Sequence, residues 1–175
     1  MADTQAQQGS PFWRFSLRFY RQPGVADACI ALQDSCGVDV NVLLLFLWLA
    51  TARRRIQLAA ARAVCAEATP WRDDVVAPLR TVRRRLKDGS SLVERGAAEL
   101  FRTKIKAIEL ESERLQQEAL FGLASGLATE DAASVEVAAR ANVVAYEQVL
   151  VRTFTPDAVD VLISALLADE ARRMV

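Results

Sequence analysis

The sequence predicts an all-α protein, a single-domain bundle of about seven to eight helices around a buried central helix. Three observations carry that expectation. Ala, Leu, Arg and Glu, all strong helix formers, dominate 175 residues that hold only seven Gly and five Pro. Apolar residues recur at spacings of three and four, and no segment alternates as a half-buried strand would. Ser10-Pro11, Thr69-Pro70 and Thr155-Pro156 each set a hydroxyl at an N-cap, with a proline that needs no N–H partner at the first helical position. Residues 1–10 read as a disordered polar tail and 11–175 as one helical domain.

Taken in order, the first helix is expected over about 11–21, where "QPG" at 22–24 breaks it. The second, about 25–35, puts Val25, Cys29 and Leu32 on one face and stops at Gly37. Asp39 is placed to cap the third, about 39–52, in which Val42 to Ala50 are apolar without a break. A membrane span needs about twenty such residues. Here Asp39 and Asn41 close the run on one side and Arg53, Arg54 and Arg55 on the other. A helix apolar on every face is buried on every face, so this one is the spine of the bundle.

Residues 38–68 contain no Gly or Pro and could form one helix or two; a break near Arg53–Arg55 is favoured, with the next helix ending before Thr69. Pro70 then opens a fifth helix that Pro78 kinks or restarts. "KDGSS" at 87–91 is a loop. A long helix follows over about 92–123, with Phe101, Ile105, Ile108, Ser112, Leu115, Ala119 and Gly122 as a heptad-like seam for a neighbouring helix. Thr129 is expected to cap the seventh helix, and Pro156 to start the last.

The absence of histidine removes histidine-based acid–base catalysis, Ser-His-Asp and Cys-His constellations, and the usual zinc and haem ligation. Cys29, Cys36 and Cys65 are odd in number and lack C-x-x-C spacing, and "MADTQAQQGS" is no secretory leader. Three reduced thiols in a cytoplasmic protein are therefore expected. The net charge of zero hides a division: residues 53–106 carry +8 and residues 107–175 carry −7.

The stretches "FWRFSLRFY" (12–20), "PGVADACIALQDSCGVDVNVLLLFLWLA" (23–50), "PWRDDVVAPLRTVRRRLK" (70–87) and "LFRTKIKAIELESERLQ" (100–116) resemble a proteobacterial family catalogued as domain of unknown function 2390. The resemblance covers roughly residues 11–125. It implies a cytoplasmic bacterial protein and assigns no functional residue.

Four groups of residues stand out. Gln33, Asp34, Asp39 and Asn41 crowd the turn before the central helix, where a cation site is the sharp reading and helix capping the plainer one for Asp39. Trp13 and Tyr20, seven apart, form a second aromatic stripe beside Phe12, Phe15 and Phe19, suited to packing or to a partner. Arg80, Arg83, Arg84 and Arg85 sit on the fifth helix, with Leu79, Val82 and Leu86 marking its inner face and Arg80, Arg84 and Lys87 an outer one. Glu109, Glu113 and Glu118 on the long helix lack the paired Asp-rich motifs of isoprenoid synthases, and Arg114 is spaced to pair with Glu118.

These features favour a non-catalytic protein–protein interaction or adaptor module without metal or cofactor, its partner an unknown protein or a second copy. A binder or enzyme of an isoprenoid or phosphorylated lipid is the alternative. It would require an apolar pocket bordered by arginines and carboxylates. RNA binding ranks third, against the neutral overall charge and the lack of a nucleic-acid motif.

Overall fold

The computed structural model describes residues 9–89 and 91–173, so the expected tail lies, at 1–8, outside the described residues. Helix α1 (Pro11–Tyr20) starts as its sequence dictates. Ser10 Oγ accepts the Trp13 N–H at 3.0 Å, and Pro11 opens the helix. Helix α2 (Val25–Cys36) buries Val25, Cys29 and Leu32 and ends at Gly37, whose φ of +69° lies in the left-handed region that glycine enters without a Cβ clash.

Helix α3 (Val40–Thr51) is capped by Asp39, whose Oδ1 accepts the Asn41 N–H at 2.9 Å. Every residue from Asn41 to Leu47 is buried, as are Leu49 and Ala50. The opening apolar run is the spine of the core, at about 1.5–3 kcal/mol for each buried Leu or Phe. It packs chiefly against α7 (Val135–Leu150), while α8 (Pro156–Arg173) covers α2. Arg18 on α1 grips the buried Asp169 carboxylate of α8 with Nε and Nη2 at 3.0–3.2 Å, which fixes the two helices to each other.

The all-α class stands, with one small exception. After α3 the chain turns at Arg53 (φ +55°) into β1 (Arg54–Ile56), which pairs antiparallel with β2 (Thr129–Asp131). Three residues are too few for alternation to register in a sequence. Fully buried Asn142 of α7 ties this corner to the core: its Oδ1 accepts the Ile56 N–H, and its Nδ2 donates to the Phe46 and Arg54 carbonyls. Thr129 therefore does not cap a helix. Its Oγ1 accepts from Arg54 Nε, and Ser134 caps α7 instead.

Helix α4 (Leu58–Trp71) runs straight through Thr69-Pro70, which corrects the expected helix start there; Thr69 Oγ1 donates back to the Cys65 carbonyl. The interruption comes later, as a π turn over Arg72–Val76 leading into α5 (Ala77–Lys87). Pro78 cannot bond the Asp74 carbonyl and would crowd it, and the π turn widens the helix at that point. The reading of a restart at Pro78 holds, with the break displaced from Pro70.

Helix α6 (Arg95–Ala124) is the long helix, capped by the Glu94 carboxylate on the Gly96 and Ala97 N–H groups. Its buried face is not the predicted seam. Of that seam only Ile105 and Ser112 are buried, whereas Phe101, Ile108 and Leu115 lie open. The interior face carries Glu109, Ser112, Gln116, Gln117 and Leu120, mostly polar residues that a search for apolar periodicity passes over. No described helix is long and apolar enough to cross a membrane.

Candidate functional site

That polar face of α6 forms one wall of a cleft of about 410 Å3, half open to solvent. α1 supplies Trp13, Ser16 and Tyr20, and α3 with its preceding turn supplies Asp39, Asn41 and Leu44. The π turn contributes Arg72 and Val76, and α5 contributes Arg80, Arg83 and Arg84. Eight of the ten residues singled out in the sequence meet here: Trp13, Tyr20, Gln33, Asp39, Asn41, Arg80, Arg83 and Arg84. Asp34 stays outside, exposed and paired with Arg84 at 3.3 Å, and Arg85 is exposed on the far side of α5.

A closed chain of hydrogen bonds underlies the cleft. Gln116 Nε2 donates to Asp39 Oδ2 at 2.7 Å, Asn41 Nδ2 to Gln116 Oε1 at 2.6 Å, and Gln117 Nε2 to Asn41 Oδ1 at 2.7 Å. The Tyr146 hydroxyl accepts the Asp39 N–H at 2.9 Å. Capping thus explains Asp39, and Gln116 completes the bond set around its carboxylate. Burial pushes the Asp39 carboxyl above its usual 3.8 in spite of these donors. Among the described residues no three Cys, Asp or Glu side chains gather as a metal site would require.

The arginines are not a free basic face. Arg80 Nε reaches Glu109 Oε1 at 3.2 Å and Arg80 Nη2 reaches Glu113 Oε1 at 3.0 Å, while Arg83 Nε and Nη2 both bond the Glu109 carboxylate. This corrects the expected orientation of α5. Arg80 and Arg83 turn inward, Val82 lies 41% exposed, and no α5 residue is fully buried. The Glu109 carboxylate, held between two guanidinium groups, ties this face of α5 to α6. Burial raises the Glu113 carboxyl, favouring its neutral form, and takes the Tyr20 phenol up to about 12. Glu118 does not pair with Arg114, which bonds Glu111; Glu118 Oε1 accepts the Ser10 N–H at 2.9 Å.

For Trp13, the packing reading of the two is the one the burial favours. It is only 5% exposed, so it offers no surface stripe. Its indole Nε1 is buried with no hydrogen-bond partner among the described residues, and so are Ser16 Oγ and Gln117 Oε1. All three residues line the cleft. Sequence reasoning missed Ser16, Arg72, Gln116 and Gln117. The one available signal was the adjacent Gln116-Gln117 pair, amides placed inside a long helix where either face could have been solvent.

The thiols are ordinary. Cys29, Cys36 and Cys65 are free, and burial takes Cys29 and Cys65 up to about 12, far from the thiolate form that a nucleophile needs.

No curated protein and no solved structure matches this chain. One family model does match, over residues 11–120, which includes every residue that lines the cleft. The chain therefore belongs to the family described as "Protein of unknown function (DUF2390)".

Proposed function

We propose that the protein binds a small amphipathic organic anion in this cleft, with the charged head beside Arg80, Arg83 and Arg84 and the apolar body against Trp13, Leu44 and Val76. The observation that carries the reading is the cleft itself, apolar along Trp13, Leu44 and Val76 and bordered by Arg72, Arg80, Arg83 and Arg84. An unmet buried polar group costs about 1–3 kcal/mol, and native interiors hold few of them. Three of the residues that line the cleft, Trp13, Ser16 and Gln117, each hold one such atom. Phosphorylated and carboxylated lipids, isoprenoids included, are amphipathic anions of this kind. The reading is of binding without catalysis, in a cytoplasmic bacterial protein.

The test is a titration of the purified protein with dodecyl phosphate, followed by tryptophan fluorescence, with dodecanol as the neutral control. We expect saturable one-to-one binding of the phosphate, much weaker binding of the alcohol, and at least a tenfold loss in Arg84→Ala, since a hydrogen bond to a charged group contributes about 1.5–3 kcal/mol. Equal binding of both amphiphiles, or of neither, would remove the reading. Mass spectrometry of the protein purified without denaturation would identify a native occupant.

An adaptor role keeps the support of one observation, the open apolar stripe on α6. RNA binding has the neutral overall charge against it and no nucleic-acid motif behind it.

A further inference from the structure

The charged side chains that line the cleft fall into two sets. Six are cations, Arg21, Arg72, Arg80, Arg83, Arg84 and Lys106, against the three carboxylates of Asp39, Glu109 and Glu113. Arg80 and Arg83 are held by Glu109 and Glu113, and Arg72 by Asp73 outside the cleft. Asp39 accepts from the Asn41 N–H and from Gln116. Three cations are left over. Among the described residues neither Arg21 nor Lys106 enters an ion pair, and Arg84 meets only Asp34, at 3.3 Å. That last pair is solvated on both sides and contributes little, so another anion can take the place of Asp34.

These three cations mark the mouth. All are exposed, whereas Trp13, Leu44 and Val76 are 2–5% exposed and form the depth of the cleft. They also come from three helices. Arg21 follows the last residue of α1, Arg84 lies on α5, and Lys106 lies on α6 three residues before Glu109. A carboxylate has one charge and two oxygens in one plane, which a single guanidinium can satisfy with two parallel bonds. A phosphate monoester carries nearly two charges and three acceptor oxygens pointing apart, which suits donors that arrive from three helices.

We infer that the cleft selects phosphate monoesters over carboxylates, the tail lying inward and the phosphate held at the mouth by Arg21, Arg84 and Lys106, with Asp34 as its competitor for Arg84. The inference rests on the proposed binding of an amphipathic anion and narrows its class.

The test is titration of the full chain at about pH 8, where the phosphate holds both charges, with dodecyl phosphate and with dodecanoate, each below its micellar concentration. Wild type is expected to bind the phosphate about ten times more tightly than the carboxylate. Arg21→Gln and Lys106→Gln, at exposed positions, should each weaken phosphate binding about three- to tenfold, and dodecanoate binding less, with unchanged circular dichroism spectra. Arg85→Gln removes the same charge from α5 outside the cleft and should leave both affinities as in wild type. Asp34→Asn, which releases Arg84, should tighten phosphate binding about threefold. Equal wild-type affinity for the two anions, both well above dodecanol, would overturn the inference and leave the cleft as a site for amphipathic anions. So would Arg21→Gln and Lys106→Gln variants that keep the full preference for phosphate, or an Arg85→Gln variant that loses as much as they do. Binding of neither anion would remove both readings.

Discussion

The half of the molecule around α3 and the half around α6 bury side chains in opposite ways. From Val42 to Leu47 the chain buries six consecutive apolar residues, which need only neighbours of suitable shape. Along α6 it buries Glu109, Ser112, Gln116 and Gln117, each of which needs named partners. The first interior is non-directional, driven by removal of apolar area from water, and it closes on itself. The second is directional, and where its partners run out it leaves Trp13 Nε1, Ser16 Oγ and Gln117 Oε1 unmet in residues that line a cleft. A fourth such atom among the described residues, Arg102 Nε, lies away from the cleft.

Truncation should separate the two interiors first. Phe46→Ala, in the dry half, should lose about 3–5 kcal/mol in urea denaturation, the cost of a large cavity beside Tyr146. A loss under 1 kcal/mol would mean that α3 is not the spine. Glu109→Gln comes next, at roughly 2–3 kcal/mol. It strands Arg83 and leaves Arg80 with Glu113 alone, and both keep some exposure, so the effect falls below that of breaking a fully buried pair. If Glu109→Gln were neutral, the inward turn of α5 would owe nothing to these ion pairs.

A pH series sharpens the contrast, because the buried carboxyls Asp39 and Glu113 border the polar interior. Burial raises the folded-state values of Asp39 above 3.8 and Glu113 above 4.5. The folded protein therefore holds these protons more tightly than the unfolded chain does. Their contribution to stability is full below about pH 4 and is lost as pH rises through the raised values. The gap between wild type and Asp39→Asn should accordingly narrow with rising pH, read from urea midpoints at a series of pH values. A gap that widened would mean that the hydrogen bonds from Gln116 and Asn41 outweigh burial. The smallest effect belongs to Arg85→Ala, within about 0.5 kcal/mol, as for surface changes generally. Arg85 is exposed, with no ion pair among the described residues.

The same division governs what was legible in the sequence. The α3 spine, the Asp39 cap, the Gly37 stop and the Val25–Cys29–Leu32 face were readable, because apolar runs and caps are local signals. The orientations of α5 and α6 were not. Their inner faces are set by Arg80, Arg83, Glu109 and Gln117, residue types that on a helix usually mark the solvent side, and only long-range pairing shows otherwise. Thr69-Pro70 has the local form of a helix start, yet α4 continues through it and the π turn takes up the strain beyond. The site residues were mostly noticed, but as three separate clusters, since nothing in one chain says that residues 13, 39 and 83 share a cleft.

The central claim is that the cleft beside the polar interior binds an amphipathic anion, and Trp13→Phe, in its apolar wall, tests it most directly. This change removes the indole N–H and keeps an aromatic ring in place. Melting temperatures of wild type and variant, each with and without dodecyl phosphate, are the measurement. The account predicts a modest loss for the free variant, because a buried ring shrinks but no hydrogen bond is given up, together with loss of most of the ligand-induced rise seen in wild type. A clearly destabilised free variant that still gained the full rise would contradict it. The indole N–H would then serve the fold, and the cleft would owe its affinity to something else.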